Sequence, residues 1–229
     1  MSVWSTMRGW FTRSQPLRDP ELVELFAGAR NMYGVSVTPE TAMRLAAVFA
    51  CVRILAESIA SMPLHLYRRR GDDKERATDH PLYRVLHRRP NAYQTAFEFF
   101  DQSQTQVGLK GWCASEIQVS ARGGIQLVPL NVDRLEPRLM DDNSVAYRYW
   151  EPGGFRVLLQ DEVVRVMYGT KDGVTALSPI KAQADTIGAA ISAHKYTAGF
   201  FRNGGRPAGW LQHPSHFQDD AKRRRFREK

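Results

Sequence analysis

Val48–Tyr67 reads VFACVRILAESIASMPLHLY, an apolar run that stops at a proline and passes into alternation. Its beginning lies upstream, at Thr38-Pro39-Glu40. Thr accepts a hydrogen bond as N-cap, Pro suits the first helical position, and Glu favours the positive end of the helix dipole. The following residues are mostly Ala, Val, Leu, Ile, Met, Phe and Cys, interrupted by Arg44, Arg53 and Glu57. A membrane span needs about 20 residues with few or no charges, and Arg at the bilayer centre costs ~2.5–3.5 kcal/mol. The better reading is one buried helix over 38–62, its charges on a narrow wet side. Ser61-Met62-Pro63 ends it, Leu64-His65-Leu66-Tyr67 alternates like a strand, and Arg68 to Glu75 reads as a charged turn.

Downstream, Asp79–Phe100 reads DHPLYRVLHRRPNAYQTAFEFF. It suggests a short helix from His80 to His87, a stop at Pro90-Asn91, and a second helix over Thr95–Leu109 with Phe97, Phe100 and Val107 as core candidates. His80 and His87 are two turns apart with no third ligand, which favours surface or packing roles over metal binding. Residues 112–168 are β-rich. Strands are expected at Ser115–Val119, Ile125–Pro129, Val145–Trp150, Phe155–Leu159 and Val163–Tyr168, with turns at Gly123-Gly124 and Pro152-Gly153-Gly154. The Arg122-Gly123-Gly124 turn lacks the Lys-Ser/Thr and following helix of a phosphate loop. Ser178-Pro179 caps a long helix to about Phe201, along which Ile180, Ala184, Ile187, Ile191 and Tyr196 keep roughly helical spacing. Asn203-Gly204-Gly205 ends it with residues that tolerate positive φ.

Composition narrows the function classes. The 43% hydrophobic content suffices for a core in 229 residues. Met1–Arg13 has no continuous apolar stretch of the secretory kind. Cys51 and Cys113 sit in apolar contexts, which favours buried free thiols over a disulfide. Ser58, Ser61, Ser178 and the histidines form no nucleophile motif, and Asp141-Asp142-Asn143 sits in a turn without a partner carboxylate. No cofactor or metal is expected, and an enzyme is disfavoured. Of the net charge of +8, Lys222, Arg223, Arg224, Arg225, Arg227 and Lys229, less Glu228, supply +5, leaving +3 for residues 1–221. The body is therefore not expected to show the dense basic face of a protein that grips phosphates, and the tail reads as one solvated helix face.

Five phrases taken in order resemble the portal protein family of tailed bacteriophages. They are TPETAMRLAAVFACVRILAESIASMPLHLYRR, DHPLYRVLHRRPNAYQTAFEFF, VPLNVDRLEP, Leu177-Ser178-Pro179-Ile180 opening a helix, and FFRNGGRPAGWL. The resemblance covers roughly Val35 to Leu211. The chain departs from the pattern at Gly111-Trp112-Cys113-Ala114, where the family has Gly-Asn-Ala and an aromatic. It departs again at Arg165, where a His is common, and at Ala176, where a Gly is usual. Family members run to roughly twice this length, so the chain is expected to be truncated.

The resemblance implies an α+β fold. It assigns 1–35 to an arm, 36–176 to a wing-like body, 177–203 to a stem-type helix and 204–229 to the start of a clip. It implies a structural subunit of a ring of twelve copies at one capsid vertex, through which double-stranded DNA is packaged and ejected. Implied partners are further copies of the chain, the terminase large subunit, capsid protein and head-completion or adaptor proteins, with no membrane. The implied location is the virion, and the host cytoplasm during assembly. Ile180, Ala184, Ile187, Ile191 and Tyr196 would then face neighbouring subunits in the stem. Lys222, Arg223, Arg224, Arg225 and Arg227 are candidates for DNA or partner contact. Two alternatives stay open. One is a basic nucleic-acid-binding module using that C-terminal tail. The other is a peripheral membrane protein using Trp4, Met7, Trp10 and Phe11.

Overall fold

The computed structural model describes residues 29–30, 32–119, 124–205 and Arg224. The arm before residue 29, most of the Arg122-Gly123-Gly124 turn, the expected clip strand at Pro207–Leu211 and the basic tail other than Arg224 lie outside the described residues.

Two short strands, β1 (Ala29–Arg30) and β2 (Ser36–Val37), pair antiparallel ahead of the first helix. Thr38 then caps α1 (Pro39–Ala42): its hydroxyl accepts from the Thr41 N–H, and Thr41 Oγ1 accepts from the Thr38 N–H at 2.8 Å. The single helix expected over 38–62 is broken, because α1 stops at Ala42 and α2 covers Ala46–Ala60. At the break Leu45 is extended (φ −82°, ψ 122°). Met43 and Leu45 thereby reach a core of Val37, Ala42, Val52, Leu109, Ile180, Ala184 and Ile187. A continuous helix would spread these side chains around its axis instead.

His80 caps α3 (Pro81–His87), its Nδ1 accepting from the Leu82 N–H. Pro90 and Asn91 do more than stop that helix. Pro90 is fully buried, its carbonyl accepting from the Leu127 N–H at 2.8 Å, and Asn91 Nδ2 donates to the Leu127 carbonyl at 3.0 Å. Thr95 and Glu98 then form a capping box on α4 (Ala96–Lys110). Phe97, expected in the core, is exposed; Phe99 takes its place, packing with Val85 and Leu127 while Phe100 lies at the margin. The helix turns Phe97 outward because its inner face is set by Phe99, Val107 and Leu109.

The segment expected as a charged turn is a hairpin of β3 (Tyr67–Arg70) and β4 (Asp73–Arg76), with Gly71 at φ 58° in its two-residue loop. Two three-stranded antiparallel sheets follow. One has the order β10 (Val163–Met167), β5 (Trp112–Val119), β6 (Ile125–Pro129). The other runs β7 (Leu135–Leu139), β8 (Val145–Glu151), β9 (Gly154–Leu158). Strand β7 goes unforeseen in the sequence because Pro137 interrupts it. A proline is tolerated there because β7 is an edge strand. Ala114 and Val163 of the first sheet share a core with Leu135, Tyr147 and Leu158 of the second.

Gly111 ends α4 in the left-handed region, φ 85°, and a Cβ there would lie 2.2 Å from the Leu177 carbonyl oxygen. Only glycine lets the end of α4 meet the next helix this closely. Ser178 completes the joint: its Oγ donates to the Leu109 carbonyl at 3.0 Å and accepts from the Lys181 N–H to cap α5 (Pro179–Ala182). The long helix expected from Ser178 is interrupted at Gln183 before α6 (Ala184–Arg202) continues. Two compact units are present, Met1–Ser192 and Ala193–Lys229. In the second, the end of α6 is closed by Gly204 and Gly205, both at positive φ.

Candidate functional site: an uncovered helix face

Helix α2 is apolar almost all round, and such a helix is stable in water only when covered on all sides. The structure covers one stripe. Val52, Ala56 and Ala60 are buried at i, i+4 spacing, with Val48 half-buried, and α2 packs along α4. Phe49, Ile54, Leu55 and Ile59 are exposed, Ile54 at 61% and Leu55 at 55%. This corrects the expectation of a buried helix with a narrow wet side. The charges occupy a narrow side as expected, Arg53 Nε lying 3.1 Å from Glu57 Oε1, but the wide apolar face around Cys51, Ile54 and Leu55 is open. Cys51 is therefore exposed, against the expectation of two buried thiols, whereas Cys113 is buried.

A shallow groove of about 240 Å³ lies at the end of α2, lined by Ala60, Met62, Leu64, Leu86, His87 and Phe100 among others. Beside it His65, Tyr83 and His87 stack: the two imidazole centroids are 4.6 Å apart, and His87 to Tyr83 is 5.0 Å. Burial, then Arg76, then His87 hold His65 below the ordinary histidine value. This is an aromatic packing cluster that includes His87, whereas His80 lies outside it and caps α3.

The expected stem residues divide between two environments. Ile180, Ala184 and Ile187 are buried in the first core, and Ile191 packs against it. Tyr196, in the second unit, is exposed, as are Phe200 and Phe201 there. Of the basic tail only Arg224 is described, and it is exposed. Sequence reasoning missed Ile54 and Leu55, although the signal was present: a helix written as buried on every side.

Strongly perturbed carboxyls have structural partners. Hydrogen bonds from Arg156 hold Glu116 below the usual range, and the Thr175 and Val174 N–H groups hold Asp172 low inside a turn. Among the described residues no group of three or more His, Cys, Asp or Glu could hold a metal ion, and no helix is long and apolar enough to cross a membrane.

The phage portal protein family model matches residues 46–229, starting at the first residue of α2. The chain is 38% identical to protein BeeE of Escherichia coli K12 over 107 residues, 45% of this chain and 68% of that protein. It is 24% identical to the portal protein of Enterobacteria phage HK97 over 210 residues, 89% of this chain and 49% of that one. It thus spans about half the length of the phage portal protein it matches. Among solved structures, a chain from the neck of an empty gene transfer agent particle, computed with C6 symmetry, superposes with a TM-score of 0.60 at 22% identity. That match covers 92% of this chain and 55% of that one. A chain from a native particle's neck, computed with C12 symmetry, gives 0.56 at 20%, covering 99% and 59%. At these identities the structural likeness speaks for the fold, and the sequence match for descent: the chain belongs to the phage portal protein family.

Proposed function

We propose that the chain acts as a structural subunit of a portal, the head–tail connector ring through which double-stranded DNA enters and leaves a capsid, and that it performs no chemistry itself. The observation that carries this reading is the pairing of a family match beginning at α2 with an α2 whose outer apolar residues, Ile54 and Leu55 among them, are exposed. A ring of one chain requires two different flanks that meet head to tail. The face of Ile54 and Leu55 suits one flank, since burying each such side chain contributes about 1.5–3 kcal/mol. The C6 and C12 symmetries of the matched necks support a ring of repeated copies, and twelve is the number the family resemblance implies. In this reading 36–176 is the wing-like body, 177–203 leads into a stem where Tyr196 meets a neighbour, and 204–229 begins a clip. Terminase, capsid protein and adaptor proteins are the further partners, at a portal vertex of the virion and in the host cytoplasm beforehand.

The test is particle mass in solution by light scattering, with negative-stain imaging. The expected result is rings of about twelve for the chain and smaller species for the Ile54→Asp/Leu55→Asp variant. A clean monomer of the unaltered chain would sink ring formation at this length. Rings that survive the double substitution would remove α2 from the interface.

A further inference from the structure

The hairpin β3–β4 is exposed at all eight strand positions and buries no side chain of its own. A two-stranded hairpin is marginal in water without such burial, so its residues serve something other than the fold. Its register sorts them by face. Tyr67 lies opposite Arg76 and Arg69 opposite Lys74 on one side; Arg68 lies opposite Glu75 and Arg70 opposite Asp73 on the other. The second face is balanced, with Arg70 paired to Glu75 at 3.4 Å and Arg68 to Asp79 at 2.9 Å. The first face carries three cations and none of the strand carboxylates; Arg69 Nε also donates to the Gly71 carbonyl at 3.0 Å. Like charges directly opposite each other destabilise a ladder, and here Arg69 and Lys74 are such a pair. The surrounding stretch His65–Arg89 has a net charge of +4, more than residues 1–221 have in total. The body's basic excess thus falls within this stretch of the sequence, with +2 on Tyr67–Arg76 itself, which the overall count of +3 concealed.

We infer that the Tyr67–Arg69–Lys74–Arg76 face is a contact surface for the phosphate backbone of duplex DNA. Lys74 and Arg76, alternate residues of β4, lie about 6.6–6.8 Å apart, and Arg69 stands across the ladder from Lys74, so three cations project together from one face. The face offers no stacking platform for single strands, because its single aromatic, Tyr67, already meets Arg76 and the His65 ring. It offers no apolar anchor of the kind that dominates protein–protein contacts. Sequence-independent phosphate contact is what remains. The inference goes beyond the channel reading and does not require a ring.

The test is fluorescence anisotropy of a labelled 30-base-pair duplex with the full chain, titrated from 50 to 200 mM salt. The variant Arg69→Gln/Lys74→Gln/Arg76→Gln is compared with Arg68→Gln/Arg70→Gln, which alters the balanced face; the basic tail is common to both. Removing one cation from a phosphate reduces the log–log salt slope by about 0.9. The triple variant is expected to lower that slope by about 2–3 and to weaken binding at least tenfold at the lowest salt, while the double variant stays within threefold. Equal effects of the two variants, an unchanged slope, or no duplex binding by the unaltered chain would overturn the inference. So would a triple variant that loses binding to poly-glutamate but not to duplex, which would make the partner an acidic protein. Circular dichroism and particle mass on every variant separate weakened DNA binding from impaired folding or assembly. The single Lys74→Gln variant, with an expected fall in slope of about 0.9, serves if the triple variant is unfolded.

Discussion

The guanidinium of Arg156 on β9 grips both carboxylate oxygens of Glu116 on β5, Nη2 to Oε2 at 2.7 Å and Nη1 to Oε1, and so ties one sheet to the other. The Glu116 side chain is only 9% exposed. Its other bond comes from Gln118 Nε2 at 2.8 Å, while Arg156 Nε reaches Glu151 at 2.8 Å and its guanidinium lies over the Tyr149 ring. The pair joins the two sheets alongside their shared apolar core.

Removing the arginine alone leaves a buried carboxylate without its partner. Arg156→Ala is expected to lower stability by about 2–3 kcal/mol, within the range for hydrogen bonds to charged groups. Glu116→Gln/Arg156→Met should cost less than that single change, since no charge is left stranded. Urea unfolding followed by circular dichroism reads both. A double variant worse than the single would show that the side-chain shapes, not the charges, hold the sheets.

The same pair gives a pH signature. Arg156 holds the folded pKa of Glu116 below its unfolded value, against the opposing effect of burial. The folded state therefore favours the carboxylate, and its contribution is complete above the unfolded value of about 4.3. It is lost as pH falls through the lowered folded value. Stability should decline below about pH 4.5, and Arg156→Ala should flatten that part of the decline. Parallel curves for the two proteins would contradict the linkage.

Much of this architecture is legible in the sequence because it rests on local signals. The Thr38, Thr95 and Ser178 caps, the strand at Ile125–Pro129 and the Pro152-Gly153 turn each follow from a few neighbouring residues. What escapes depends on distant partners. The break after Ala42 exists because Leu45 is needed in a core built with Ile180 and Ile187. Phe97 and Phe99 differ in burial only because Val85 and Leu127 arrive on one side of α4. Periodicity identified α2 as a helix to be covered, but a sequence does not state whether the cover comes from within the chain.

Gly111 shows how such a distant partner fixes a residue. Gly111→Ala would place its Cβ against the Leu177 carbonyl and keep a non-glycine residue at positive φ. The joint between α4 and α5 would have to open, and a loss of more than about 2 kcal/mol is expected. Gly108, one turn earlier, is the control. A Cβ there meets only Val52 methyl carbons at 3.8 Å, so Gly108→Ala should be neutral or stabilise by up to about 1 kcal/mol. Thermal unfolding of the two variants side by side decides the matter; equal losses would refute the steric account.

Cys51 and Cys113 form a built-in reporter of what covers α2. Cys113 is buried, and burial pushes its thiol above the ordinary value, so it should be inert to an aromatic disulfide reagent until the protein unfolds. Cys51 stands on the open face and should react within the mixing time as a monomer. If α2 forms an interface, assembled particles should protect Cys51 while the Ile54→Asp/Leu55→Asp variant restores its reactivity. Full reactivity of Cys51 in a ring would place the interface elsewhere.

The stacked imidazoles of His65 and His87 give the final prediction, and its sign is opposite to that of a histidine with an acidic partner. Burial, Arg76 and His87 all disfavour a charged His65, so its folded pKa lies below the unfolded value. The folded state then binds fewer protons than the unfolded chain across that interval. The stabilising contribution is complete above about pH 6.5, the unfolded value, and falls away as pH drops from there toward the folded value. His65→Gln should remove this segment of the pH dependence, and a proton NMR titration should place the His65 ring below that of an exposed histidine. Replacing Arg76 by Gln removes a nearby positive charge and should raise the His65 value. A His65 resonance titrating at or above the ordinary histidine pKa would mean that the cluster favours the charged ring, through a partner that neither Arg76 nor His87 can supply.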